Sequence, residues 1–152
     1  MVGEGANLGV TQAGRIEAAR QGIRINTDAL DNSAGVSTSD HEVNIKILLA
    51  AAETDGAITR RQRDELLVQM TDEVLVLRDN HQQSLAVTLE TEMGAEALPA
   101  QAMLMKRLEA AGLLDRAVAG LPDDAAMRRR MASGEALTRP EIAALLPFAK
   151  LW

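Results

Sequence analysis

The chain has 152 residues, a formal net charge of −6 and 47% hydrophobic residues. This length allows one domain, or one small domain with part of another, and the composition is that of a folded globular protein. With one Phe, one Trp and no Tyr, an acidic chain is a poor nucleic-acid binder, because it lacks both net positive charge and aromatic stacking platforms. Cysteine is absent, which excludes disulfides and thiolate metal sites and fits a reducing compartment.

No apolar run approaches the roughly 18 residues that a membrane span requires. The N-terminus also lacks a basic stretch followed by an apolar one, so the sequence contains no secretory signal pattern. We therefore expect a cytoplasmic protein that has no membrane partner.

Residues 1–40 are rich in Gly, Asn, Asp, Ser and Thr and predict part of an α/β unit. Residues 1–3 are expected to end one strand, and residues 23–26 alternate like a second short strand. Between them Thr11 can cap a helix that stops near Gly22.

Residues 27–35 predict a single helical turn followed by a break, before the next long helix. Thr27 and Asp28 offer a cap for a single turn, and the run DNSAG at 31–35 predicts a break. A longer helix is expected from about Ser39 to Thr54, with its stop at Asp55 and Gly56.

The rest of the chain predicts a succession of helices. Thr59-x-x-Gln62 and Thr138-x-x-Glu141 are capping boxes, Pro99 suits a first helical turn, and Pro122 opens a helix that ends near Gly134. Residues 113–121 are expected to form a short helix after an interruption at Gly112, and Pro147 should end or kink the last helix.

The predicted fold is therefore mainly α: a C-terminal helical module preceded by an incomplete α/β (Rossmann-type) remnant with one or two short strands. We place the remnant at residues 1–54 and the helical module at residues 55–152.

Four groups of residues could carry chemistry, and for each of them a structural interpretation is favoured. Glycines 3, 5 and 9 are spaced one position too widely for a dinucleotide loop, and residues 40–42 (Asp-His-Glu) are consecutive on a helix and cannot easily share a metal ion. The hydroxyls at 37–39 lack an activating histidine arranged to serve them, and the basic clusters at 60–63 and 128–130 fit solvated helix faces. We predict no metal site and no catalytic residue within the chain.

Several longer runs resemble the large NAD-dependent glutamate dehydrogenases of bacteria. They are GEGANLGVTQ at 3–12, GRIE at 14–17, RINTDALDNSAGV at 24–36 and SDHEVNIKILL at 39–49, with a less distinctive run, LTRPEIA, at 137–143. The resemblance implies that the chain is a C-terminal piece of such an enzyme.

Shorter glutamate dehydrogenases have a distant version of this pattern, which implies roles for four residues. Asn7 and Asn32 would lie beside the nicotinamide of NAD, where an asparagine amide can both donate to and accept from the carboxamide. Val36 and Ser39 would line the pocket for the glutamate side chain. The shorter enzymes have an aromatic pair after that serine, whereas this chain has Asp40 and His41.

The resemblance also implies what the chain lacks. The family's catalytic lysine and aspartate belong to a substrate domain that nothing here matches, and its dinucleotide loop would precede Met1. We therefore expect the parent, a homo-oligomer, to convert glutamate to 2-oxoglutarate and ammonium with NAD, and the isolated chain to be inactive and to bind NAD weakly at best.

One alternative remains open: the helical module could be a protein–protein element for assembly or regulation. Its contact surface would be an apolar stripe formed by Leu66, Met70, Val74 and Leu77.

Overall fold

A computed structural model of the chain describes residues 2, 9–75 and 78–151. Within these residues the chain forms seven α-helices, and a 3₁₀ helix at Gly94–Ala97 precedes the fifth of them. The α-helices are α1 (Gln12–Arg20), α2 (Asp28–Thr54), α3 (Arg60–Leu75), α4 (Arg78–Glu92), α5 (Leu98–Ala110), α6 (Asp124–Ser133) and α7 (Arg139–Leu151). The prediction of a mainly helical chain is confirmed.

The strands expected in the α/β remnant are not seen in the described residues, which contain no β-strand. Residues 23–27 have no regular secondary structure, and the N–H of Val2 donates to the carbonyl of Arg24 (2.8 Å). None of the helices in the described ranges is both long enough and apolar enough to cross a bilayer.

Most predicted helix ends are confirmed by their hydrogen bonds. Thr11 Oγ1 accepts from the N–H of Gly14 (3.1 Å) at the start of α1. At α3, Thr59 Oγ1 accepts from the N–H of Gln62 (3.3 Å) and the Gln62 side chain accepts from the N–H of Thr59 (2.9 Å), the two bonds that define a capping box. Gly56 follows α2 with φ = 75°, a left-handed conformation that favours glycine at a helix end.

The predicted break at residues 31–35 is wrong, because α2 is one helix of 27 residues. Asn32 and Gly35 lower helix propensity but keep the backbone N–H that the helix needs, so they do not forbid it. Asp28 and Asp31 lie in the first turn, where acidic side chains stabilise the helix N-terminus. Thr27 does occupy the N-cap position, although its side chain makes no capping bond.

Helices from opposite ends of the sequence pack together. α7 contacts α1, α4 and α5, and α2 contacts α3 and α4. Gln12 in α1 donates to the carbonyl of Pro140 in α7 (3.1 Å), and Arg139 donates to Asn26 Oδ1 and to Thr88 Oγ1 in α4. The buried apolar core is drawn from nearly the whole chain: Leu30, Val87, Leu98, Met105, Leu108, Leu114, Leu121, Met127, Leu137, Ile142, Ala143 and Leu145.

Arg130 contradicts the prediction that the cluster at 128–130 lies on a solvated face. Arg128 and Arg129 are exposed, but Arg130 is buried and donates two hydrogen bonds to the carboxylate of Glu141 (2.9 and 2.8 Å). The same carboxylate accepts from the N–H of Thr138 (2.7 Å), as its capping box requires. This ion pair joins α6 to α7.

The helix predicted at residues 113–121 is wrong. Residues 116–120 form turns and their neighbours have no regular secondary structure, and Arg116 holds this segment by donating two bonds to Glu109 and one to Asp124. Of the two effects predicted for Pro147, the helix end is not seen, because α7 continues to Leu151.

Candidate cofactor and substrate face

Three of the four residues expected near cofactor or substrate lie on α2. At about 100° per residue, Asn32, Val36 and Ser39 fall on one face of that helix, because they are spaced by four and three positions. Asn7 lies outside the described residues. The predicted break would have separated these side chains, and the continuous helix instead aligns them.

A shallow open cavity of about 400 Å³ lies along the first turns of α2. It is lined by Asp28, Ala29, Asn32, Val36, Ser37, Asp40 and His41. Asn32 and Val36 therefore border the same space, whereas Ser39 lies one turn further along the face and does not line it.

Ser39 on the same helix face and His41 beside the cavity are both partly engaged in hydrogen bonds within α2. Ser39 Oγ donates to the carbonyl of Val36 (2.9 Å), and His41 Nδ1 lies 2.7 Å from the carbonyl of Ser37, to which it can only donate. Ser39 keeps acceptor capacity on its hydroxyl, and the second ring nitrogen of His41 is then an acceptor. The two side chains can accept hydrogen bonds from a ligand without leaving their rotamers.

The first turn of α2 is held in place by Arg15 of α1, a residue that sequence reasoning missed. Arg15 is 1% exposed and donates to the carbonyls of Asn26 (2.8 Å) and Val10 (3.1 Å) and to Asp28 Oδ1 (3.2 Å). It occurs in the family-like run at 14–17, but nothing in that run marks it as a buried residue. Its bonds to Asn26 and Asp28 hold the start of α2, and with it Asn32 one turn later.

A second cavity, of about 1050 Å³, lies between residues 22–26, α4 and the start of α7. Arg139 borders it and donates to Asn26 Oδ1, Thr88 Oγ1 (2.8 Å) and Ser84 Oγ (3.3 Å). Burial lowers the pKa of the Arg139 guanidinium, and the negative charge of Asp31 opposes that shift. Because these partners are neutral side chains of residue 26 and of α4, Arg139 acts as a structural tie that holds both segments to α7.

Polar and apolar groups lie side by side on this face of α2. The amide of Asn32, which can donate and accept hydrogen bonds, borders the same cavity as the exposed side chain of Val36. Among the described residues, no group of three or more His, Asp or Glu side chains could hold a metal ion.

The apolar stripe expected on α3 is not exposed as a whole. Leu66 and Met70 are half-buried, and Met70 lines a small cavity against Ile45 of α2. The side chain of Val74 and the whole of Leu77 lie outside the described residues. Of the four residues, Met70 is thus placed between α2 and α3.

Comparison with known proteins shows which proteins the chain resembles. Residues 1–90 match the model of a family described as bacterial NAD-glutamate dehydrogenase, catalytic domain. The chain is 45% identical over 152 residues to the NAD-specific glutamate dehydrogenase of Halomonas elongata, 46% over 153 residues to that of Pseudomonas aeruginosa and 47% over 153 residues to that of Mycobacterium tuberculosis.

Each of these alignments includes 99% of the chain but only 9% of the relative. The chain therefore spans about a tenth of the length of the curated relatives that it matches. The matched family region contains α1, α2, α3 and most of α4, including the face that carries Asn32, Val36 and Ser39. By this match the chain belongs to the family of bacterial NAD-glutamate dehydrogenases.

Proposed function

We propose that the chain is a C-terminal segment of an NAD-dependent glutamate dehydrogenase and supplies one wall of that enzyme's catalytic cleft. The parent oxidises glutamate to 2-oxoglutarate and ammonium, with NAD as the hydride acceptor. The observation that carries this proposal is the match of residues 1–90 to the family's catalytic domain, together with relatives that bear the name NAD-specific glutamate dehydrogenase.

The roles of the α2 side chains follow from their chemistry. When NAD is bound, its nicotinamide ring accepts the hydride. Asn32 would orient that ring by donating to and accepting from the carboxamide, and Val36 would cover apolar surface beside it. Ser39 would hydrogen-bond to the glutamate side chain one turn further along the face. Asn7 would contribute a second amide to the cofactor site.

These groups position reactants but do not transfer protons. Hydride transfer requires cofactor and substrate to be held in contact at close range, and the chain offers a single wall for that purpose. We therefore expect no glutamate-dependent NADH formation by the 152-residue chain alone, and NAD binding weaker than micromolar by calorimetry.

The experiment that tests the proposal is a chimaera. The segment of the Pseudomonas aeruginosa relative that aligns with this chain, 46% identical over 153 residues, is replaced by residues 1–152. We expect the chimaera to form NADH from glutamate and NAD, while the chain alone does not. A chimaera that folds but has no activity would contradict the proposal.

Three finer expectations belong to the same proposal. The hydrogen bond from Val2 to Arg24 (2.8 Å) supports an α/β remnant in which residues 1–3 and 23–26 become strands of the parent's nucleotide domain. The boundary between that domain and the helical module is proposed at residue 54, where α2 ends. A homo-oligomeric parent in the cytoplasm remains a prediction.

A further inference from the structure

Exposed apolar side chains extend the helix face of Asn32, Val36 and Ser39 towards the C-terminal half of α2. Val36, Val43 and Ile47 are 49%, 54% and 64% exposed. At about 100° per residue, they fall with Asn32 and Ser39 inside an arc of about 80°. We call these five residues, Asn32, Val36, Ser39, Val43 and Ile47, the α2 stripe.

Among the described residues, the α2 stripe is not the surface through which α2 packs on α3. Ile45 and Leu49 are half-buried on the side of α3, and Ile45 faces Leu67 and Met70 across a small apolar cavity. The stripe lies about a third of a turn away from these residues, so the contacts between α2 and α3 are complete without it.

The comparisons show how small a part of its relatives the chain spans. The family's catalytic-domain model extends over all of α2, and the chain spans only 9% of its relatives' length. Most of each relative's length therefore has no counterpart in this chain. Val36, Val43 and Ile47 are spaced by seven and four residues, and branched apolar side chains at such helical spacing form the kind of face by which a helix packs against another element.

We propose that Val43 and Ile47 form the docking surface for the part of the catalytic domain that this chain lacks, directly beside the cofactor and substrate positions of the same stripe. This inference rests on the proposed function. Covering the apolar end of the stripe closes the cleft at that side and excludes water from the place of hydride transfer. The same helix face then borders the reactants and contacts the rest of the catalytic domain.

The test uses the active chimaera with two matched substitutions on α2. Ile47→Asp places a carboxylate on the stripe, whereas Leu48→Asp places the same group on a residue that is 69% exposed but lies about 100° away on the helix. We expect Ile47→Asp to lower kcat/KM for glutamate by at least about tenfold, because misplaced reactants react slowly. Leu48→Asp should stay within about twofold of the parent chimaera, as surface substitutions do.

A second measurement separates docking from folding. Because Ile47 is exposed in the chain itself, Ile47→Asp should leave the urea midpoint of the isolated 152-residue chain unchanged. Loss of activity with an unchanged midpoint supports docking. A lowered midpoint in the isolated chain would contradict the proposal.

Each of the remaining outcomes would count against one of the two proposals. Full activity of the Ile47→Asp chimaera, or an equal loss from Leu48→Asp, would overturn the docking proposal and leave the proposed function standing, since the unsubstituted chimaera is active. A stable dimer of the chain that Ile47→Asp dissolves, with chimaera activity unaffected, would assign the stripe to a second copy and also overturn it. An inactive unsubstituted chimaera counts against the proposed function itself.

Discussion

The carboxylate of Glu141 is buried and hydrogen-bonded on both of its oxygens. It is 2% exposed, accepts two hydrogen bonds from Arg130 and accepts two more from the backbone and hydroxyl of Thr138. A buried charge is stable only when its partners replace the water that it has lost. Arg130 and Thr138 do this for Glu141, so removing the charge should be costly.

We predict that Glu141→Gln lowers the free energy of unfolding of the chain by about 3 kcal/mol, because it leaves Arg130 buried opposite a neutral amide. The measurement is urea unfolding followed by circular dichroism. Glu135→Gln is the matched control: Glu135 is half-exposed and lies 3.8 Å from Arg130, and an exposed ion pair contributes at most about 1 kcal/mol. Equal losses from both variants would contradict the assignment.

The same carboxylate predicts a pH dependence of stability. Burial alone would raise the pKa of Glu141, but the bonds from Arg130 and Thr138 outweigh it, and the net pKa is lowered below the ordinary value of 4.5. A lowered folded pKa contributes stability above the unfolded value, and that stability is lost as the pH falls through the folded value. We expect the urea midpoint to fall below about pH 5, and more steeply for the unsubstituted chain than for Glu141→Gln. Parallel pH profiles would exclude Glu141 as the source.

Sequence reasoning predicted the residues that make caps but missed the buried cations. Thr11, Thr59 and Thr138 stand in local patterns whose partners are three positions away, so one sequence suffices to find them. The hydrogen-bond partners of Arg15 and Arg130 lie outside the arginine's own helix, 5 to 13 residues away, and a charged residue on an amphipathic helix is ordinarily solvated. Only the fold brings Val10, Asn26 and Asp28 around Arg15.

At the scale of the element, α2 decides how the candidate site is arranged. Its 27 residues include Asn, Ser and Gly at 32, 33 and 35, which in isolation favour a turn. Leu30 is 5% exposed and belongs to the core, so tertiary packing fixes the first turn of the helix and overrides that local preference. The alignment of Asn32, Val36 and Ser39 on one face depends on this continuity.

We predict that Gly35→Pro destabilises the chain by about 3 kcal/mol, because proline within a helix removes a hydrogen bond and clashes with the preceding turn. Gly35→Ala is the control, and it should change the free energy of unfolding by no more than about 1 kcal/mol. Chemical unfolding of both variants checks this. If Gly35→Pro left the free energy of unfolding unchanged, residue 35 would lie in a loop. Asn32 would then not share a helix face with Val36 and Ser39.

At the scale of the whole molecule, the two ends of the chain form one packed structure. α1 packs on α7, and Arg139 ties residue 26 to α4. None of these contacts could be predicted from local patterns, because their partners lie more than 50 residues apart. The family resemblance carried the functional prediction instead, and the catalytic-domain match supports it. The roles of Asn7, Asn32, Val36 and Ser39 remain predictions.

The central claim is that the first half of α2 faces the cofactor in the parent enzyme, and one comparison of rates tests it. In the chimaera, Asn32→Ala removes the amide expected at the nicotinamide, and Asn44→Ala makes the same change about 120° away on the same helix, where Asn44 bonds to the carbonyl of Asp40. We predict that Asn32→Ala lowers kcat/KM for NAD in glutamate-dependent NADH formation by about ten- to a hundredfold, while Asn44→Ala has little effect. Equal kcat/KM values for NAD in the two variants would contradict the account.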